Sequence, residues 1–347
     1  MDGPYLFHLP DGKVRVVSVA ENGELKEEVL NKLPDNYSFR VFSHDKKHSF
    51  EVSIHPIIRQ EWKQEAPEKL LAISDPHGNL TYFLSVLQAN SVINDKYEWI
   101  YGKNHLMVNG DIFDRGDDVL PILWLMYKWD HEARVAGGAV HFLIGNHESM
   151  VLRGDLRYIN DKYAKIATRL NIDYSKLFGA DTELGRWIGS CNTIQIIGTD
   201  LFVHAGLSAG FYECSFSIPY VNSQFSEGVF LDKSGRENLS THSKFLFSSS
   251  SSTVGGPGPL WYRGMVGYDG HEALDEDVLD LLLERYDVKR VIVGHTEQPD
   301  INLFYNGKVI AINVKSGNNY EKKLGRGILI EGVKTYVVND EGTIKPL

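Results

Sequence analysis

The sequence predicts an α/β fold, with parallel strands covered by helices, and three observations predict it. Between residues 69 and 144, short apolar runs alternate with helical stretches in a βαβαβ order. Such units place successive strands parallel and pack their helices on the sheet. Each apolar run stops at a polar cluster, and ligands of such sheets collect outside the carboxyl ends of the strands. Finally, 42% hydrophobic against 24% charged residues in 347 is the balance of a globular chain that buries a large core.

Residues 1–66 read as a β-rich N-terminal extension, and residues 67–347 as the main domain. In the extension, 14–19 alternates and Asn22-Gly23 supplies a hairpin turn. His44, His48 and His55 lack ligand-like spacing and read as surface or packing residues. The main domain opens with a strand over 70–74. Asn79 then caps a helix that sets Leu80, Phe83, Leu84 and Leu87 on one face. A strand over 106–108, a helix over 119–136 and a strand over 140–144 follow. Residues 150–190 read as helical, and strands over 193–197 and 201–203 are joined by Gly198-Thr199-Asp200. Residues 222–259 read as the least structured part. The serine run 248–252 and the Gly/Pro-rich residues after it predict a mobile loop. A helix over 276–286, a strand over 290–293 and antiparallel strands turned at Asn306-Gly307 complete the chain.

Composition excludes several function classes. With 36 Lys+Arg against 46 Asp+Glu, the net charge of -10 repels a nucleic acid. No run approaches the ~20 apolar residues of a membrane span, and the first residues lack the basic and apolar regions of a signal peptide. A cytoplasmic protein with no membrane partner is therefore expected. Cys191 and Cys214 are the only cysteines, too few for a disulfide framework or a thiolate zinc module. Neither has an arginine six places on, as the C-x5-R loop of the cysteine-dependent phosphatases requires, so both read as small packing residues. The chain has 32 glycines and 12 prolines, against average usage of about 7% and 5%, a skew that loosens loops and suits cold activity.

Five segments carry chemistry: Ser74-Asp75-Pro76-His77-Gly78-Asn79, Gly110-Asp111-Ile112-Phe113-Asp114-Arg115-Gly116, Gly145-Asn146-His147-Glu148, Val203-His204-Ala205-Gly206 and Gly294-His295-Thr296. Asp-x-His or Gly-His-Thr alone occurs by chance, but two carboxylates and an arginine in one turn are costly without a counter-ion. Oxygen and nitrogen donors without thiolate suit Mn, Fe or Zn. Asp75 and His77 can face one ion, Asp111 can bridge two, and Asn146, His204 and His295 can complete the second. Two such ions can share and activate a water and neutralise phosphoryl oxygens. His147 is placed to protonate a leaving oxygen and Asp114 to orient its ring. Arg115 offers a planar fork for phosphate, and Arg263, just after the Gly/Pro-rich loop, is a second candidate clamp.

From residue 69 to the C-terminus, these segments resemble the signature set of the calcineurin-like metallophosphoesterases, and among them the PPP-type phosphoprotein phosphatases. The resemblance implies a β-sandwich of two sheets flanked by helices, a binuclear metal centre and direct attack by metal-activated water. It also implies the same residue roles: Asp75, His77, Asp111, Asn146, His204 and His295 as ligands, His147 and Asp114 as the acid pair, and Arg115 and Arg263 on phosphate. The sequence departs from the family's usual Gly-Asp-x-His with Ser-Asp-Pro-His at residues 74–77, and from the serine/threonine enzymes with Ser316-Gly317-Asn318-Asn319-Tyr320 and Leu260-Trp261-Tyr262-Arg263-Gly264. These features resemble the Shewanella-like branch of the PPP-type phosphatases, which includes a cold-active bacterial tyrosine phosphatase, and the resemblance implies a phosphorylated protein or peptide substrate carrying phosphotyrosine. A serine/threonine or broad-specificity phosphatase, a nucleotide polyphosphate hydrolase and a non-catalytic phosphoprotein-binding module are the other readings. The acid pair argues against the last, because a binding module needs no proton donor.

Overall fold

Two six-stranded mixed sheets face each other, and the order of strands within them decides where the polar segments meet. The computed structural model describes residues 2–250, 257–267, 272–315 and 324–347. In one sheet Lys69–Ile73, His105–Val108 and Ala139–Phe142 run parallel. The antiparallel strands Arg326–Glu331, Lys334–Asn339 and Ile344–Pro346 extend it from the edge of Lys69–Ile73. In the other, Asp200–Val203, Arg290–Val293 and Val309–Ala311 are parallel. Ile194–Ile197 and Asn302–Phe304 flank them antiparallel, and Lys63–Gln64 closes one edge.

The strands are short and apolar because both of their faces are covered. Leu70, Ala72, Met107, Phe202, Ile292, Ile310 and Ile328 form the layer between the sheets. The opposite faces pack against helices, including Leu80–Ala89 and Val119–Val135, in a larger apolar cluster. Asn79 caps the first of these, its Oδ1 accepting the Tyr82 N–H at 3.0 Å. Asn109 stitches the sheets together, its Nδ2 donating to the Val203 carbonyl at 3.1 Å. The fold is therefore the two-sheet, helix-flanked sandwich implied by the family resemblance.

The N-terminal strands Asp2–His8, Val14–Val19 and Leu25–Leu30 form an antiparallel sheet, with Asn22-Gly23 in the second turn. They pack onto the helical layer: the Trp124 indole donates to the Pro4 carbonyl at 3.2 Å, and Glu183 meets His8 at 2.6 Å. His44 is exposed, His48 meets the Tyr97 hydroxyl at 2.8 Å, and His55 stacks on Tyr127. Both cysteines are partly buried against the main core.

One expectation needs correction. Residues 222–259, read as largely unstructured, contain most of the helix Ile218–Gly228 and the helices Lys233–Glu237 and Thr241–Leu246. These helices are capped by polar side chains: Ser217, just before the segment, and Asp232 and Ser240 within it each accept a backbone N–H of the following turn. Phe225, Phe245, Leu246 and Phe247 are buried beneath these turns. Residues 251–256 of the serine and Gly/Pro-rich run lie outside the described residues, as does the segment 316–320. Among the described residues, no helix is long and apolar enough to cross a membrane.

Candidate metal centre

Each candidate ligand sits where a strand has just ended or a helix has just begun. Asp75 and His77 follow Lys69–Ile73, Asp111 follows His105–Val108, and Asn146 begins the helix Asn146–Leu152. His204 follows Asp200–Val203 and His295 follows Arg290–Val293. Asp75, His77, Asp111, Asp114, Arg115 and His295 all adopt left-handed backbone, with φ between 43° and 71°. Such conformations each cost of order 1 kcal/mol, and they persist only when the surroundings over-determine them. Gly110 turns the chain beside them at φ 89°, and a Cβ there would stand 2.4 Å from the His204 ring.

Asp111 is the common member of two donor clusters. His77, Asp111 and His147 offer ligand atoms within 4.8 Å of one another, and so do Asp111, His204 and His295. The Asp111 Oδ2 lies 3.7 Å from His77 Nε2, 3.9 Å from His147 Nε2 and 3.3 Å from His204 Nε2. Asp75 stands beside the first cluster, its Oδ1 4.0 Å from His77 Nε2. Asn146 joins the second, its Oδ1 2.9 Å from His204 Nε2. The Arg263 guanidinium donates to the Thr296 hydroxyl at 3.0 Å, next to His295. Arg115 is half exposed, 3.5 Å from Glu297. Together with Asp75 and His77 it lines an open cleft of about 460 Å³. All ten residues singled out in the sequence thus converge on one place.

Backbone carbonyls set the histidine tautomers. The Phe113 carbonyl takes the Nδ1 proton of His77 at 2.9 Å, and the Asn109 carbonyl that of His204 at 2.8 Å. Each Nε2 is left to face the acidic centre with its lone pair, the arrangement of metal-ligating histidine. The donor set fits a bound cation on two further counts. In the neutral ring His204 Nε2 and Asn146 Oδ1 are both acceptors, 2.9 Å apart, a contact that a ring proton satisfies without metal and that a bound cation can satisfy in its place. Asp75 Oδ1 and His295 Nε2 are buried with no hydrogen-bond partner among the described residues.

The electrostatics follow from burying these charges together. Burial, with the nearby Asp111 carboxylate, raises Asp75 to about 7. Burial also drops His77 to about 3. For His204 burial opposes the proton, but Asp111 more than offsets it and lifts the ring to about 9. His147 donates from Nδ1 to Asp114 Oδ2 at 2.5 Å. Its burial opposes the charge, yet the Asp111 and Asp114 carboxylates raise it above the usual histidine range.

One residue had no role in the sequence reading. Glu148 is fully buried and accepts four backbone N–H groups, from Asp111, Ile112, Phe113 and Gly145, at 2.7–3.1 Å. It clamps the Asp111 turn to the Asn146 turn. Its adjacency to Asn146-His147 was visible in the sequence, but the donors it satisfies were not.

Residues 68–299 match the calcineurin-like phosphoesterase family. The chain belongs to this family. It is 26% identical over 293 residues to Shewanella-like protein phosphatase 2 of Arabidopsis thaliana, covering 72% of each chain. It is 28% identical over 238 residues to Shewanella-like protein phosphatase 1 of Plasmodium berghei, covering 67% of this chain and 62% of that one. The crystal structure of a cold-active protein-tyrosine phosphatase of a psychrophilic Shewanella species superposes with a TM-score of 0.86. It has 32% sequence identity over 100% of this chain and 99% of that one. This phosphoesterase is accordingly a metallophosphatase of the Shewanella-like type, and its His/Asp clusters are compatible with the divalent metals such enzymes use.

Proposed function

We propose that this phosphoesterase hydrolyses phosphotyrosine in phosphoproteins at a binuclear metal centre, with His147 as general acid. The observation that carries the reading is the buried Asp111 carboxylate, common to two donor clusters, one of which includes His147, itself held by Asp114. Asp75, His77 and Asp111 would hold one ion, and Asp111, Asn146, His204 and His295 the other. Bound there, Mn, Fe or Zn would supply an activated water and positive charge for the phosphoryl oxygens. Arg115 and Arg263 would orient the phosphate through guanidinium forks. Asp114 holds the Nδ1 proton of His147, so its Nε2 is the atom that hands a proton to the leaving oxygen.

Tyrosine as the leaving group is supported by full-length likeness to a protein-tyrosine phosphatase. It is also supported by the aromatic walls of the site. The Tyr158 ring lies 5.4 Å from that of His147, and the Trp261 ring 5.9 Å from that of His295. A substrate phenyl ring can pack against such a face. The test is phosphate release, with Mn²⁺ supplied, from two peptides of one sequence carrying phosphotyrosine or phosphoserine. A strong phosphotyrosine preference is expected. Equal rates, or a phosphoserine preference, would discard the tyrosine assignment. Silence on both, with turnover of a nucleotide polyphosphate, would move the substrate to small molecules.

A further inference from the structure

Beside the metal centre lies a second pocket, of about 260 Å³, that the proposed chemistry does not use. Its floor is shared with the centre. Ser149 and Met150 line it one turn beyond Asn146-His147, and the Asn146 amide reaches the Met150 sulfur at 3.9 Å. Trp261 stands between the two, lining the pocket while its ring meets that of His295.

The pocket's charge is unbalanced. Arg153, Arg157 and Arg236 line it against a single carboxylate, Asp155, which Arg157 already engages through both oxygens. Arg153 and Arg236 have no carboxylate partner within 4.0 Å among the described residues. The half-buried Arg153 guanidinium lies 4.5 Å above the Phe247 ring instead, and Arg236 spends its Nη1 on the carbonyls of Leu231 and Arg153. Burial, and then the nearby Arg236 cation, bring Arg153 down to about 10, so it remains charged at neutral pH. Two crowded guanidiniums, partly stripped of water in a chain of net charge -10, are a local exception to the field around them. An anion placed between them relieves both the repulsion and the desolvation.

We propose that this pocket binds a second anionic group of the substrate, either an acidic side chain or a second phosphate flanking the phosphorylated residue. The inference rests on the phosphoprotein reading of the neighbouring centre. It reverses the default expectation, because an acidic flank on its own is repelled by an acidic enzyme.

The test uses the Mn²⁺-loaded enzyme and phosphotyrosine peptides identical but for one flanking position. That position is scanned from three residues before to three after the phosphotyrosine and carries glutamine, glutamate or phosphoserine. At the best position, kcat/KM for the glutamate or phosphoserine peptide is expected to exceed that for glutamine by about five- to tenfold, the worth of one charge-assisted contact. Preference for both marks a general anion site, and preference for phosphoserine alone marks a phosphate site. Either supports the proposal. In Arg153→Gln the ratio should fall to near one. Arg153→Met, which keeps the apolar stem over Phe247, should do the same and serves if the glutamine variant fails to fold. A wild-type ratio of one or below at every position overturns the proposal, as does a ratio that survives in both variants. Absence of turnover on every peptide overturns the phosphoprotein reading itself, and this inference with it.

Discussion

Glu148→Gln tests how the site is held together. The wild-type carboxylate gives two acceptor oxygens to four backbone donors: Asp111 and Gly145 on Oε2, Ile112 and Phe113 on Oε1. Glutamine keeps the shape but replaces one oxygen with an NH₂ group. Whichever way the amide turns, two buried N–H groups then face donors instead of an acceptor. Each stranded N–H costs about 1–3 kcal/mol, so the substitution should remove roughly 4 kcal/mol. That is a large share of the ~5–15 kcal/mol by which domains are stable. Urea unfolding of the metal-free protein reads it directly. With an m-value of about 3 kcal/mol/M, the midpoint should fall by roughly 1 M at unchanged m. Because the stranded donors belong to the turn carrying Asp111, metal affinity should weaken in the same variant. A midpoint within about 0.2 M of wild type, with metal binding intact, would refute the reasoning.

Other outcomes follow from the same geometry. Asp114→Asn should lower kcat by about 10–100-fold at unchanged metal content, since it loosens the held tautomer of His147 but removes no proposed ligand; an unchanged kcat would remove Asp114 from proton transfer. Asp111→Asn should lower bound metal, measured by elemental analysis, in step with kcat, and full metal content would end its bridging role. Arg263→Ala should raise KM and lower kcat together, and steady-state kinetics that leave both unchanged would sink the clamp. Stability should also fall on acidification, for a reason away from the metal centre. His105 and His141 face each other at 3.1 Å, and burial lowers both, His105 to about 4. The unfolded chain takes those protons near 6.5, so it binds more protons than the folded chain between pH 6.5 and 4. Stability is therefore present above that window and lost as pH falls through it, by roughly 3 kcal/mol for His105 alone. His105→Gln should flatten that part of the pH profile, and an unaltered slope in urea titrations at pH 7 and 4.5 would refute it.

Much of the site was legible from local pattern. The strands at 69–73, 105–108 and 290–293 are apolar on both faces, so their ends stand out as abrupt changes to Asp, Asn and His. The helix Glu276–Tyr286 was legible because its apolar residues recur at helical spacing behind Asp275. Residues 222–259 misled for the complementary reason: serine serves a cap and a loop equally well, and only the burial of Phe225 and Phe245 decides between them.

By itself the sequence determined which donors exist, that thiolate chemistry is absent, and that each donor follows an apolar run. Those are properties of residue type and short-range periodicity, which survive in one dimension. Only the tertiary structure decided that two separate sheets aim their carboxyl ends at one point, with Asp111 shared by two clusters. The same holds for the left-handed backbone at six of the ten site residues, the four donors gathered by Glu148, and the unbalanced arginine pair beside Trp261. Each depends on contacts between residues distant along the chain, whose cost is offset only once the sheets have closed on each other.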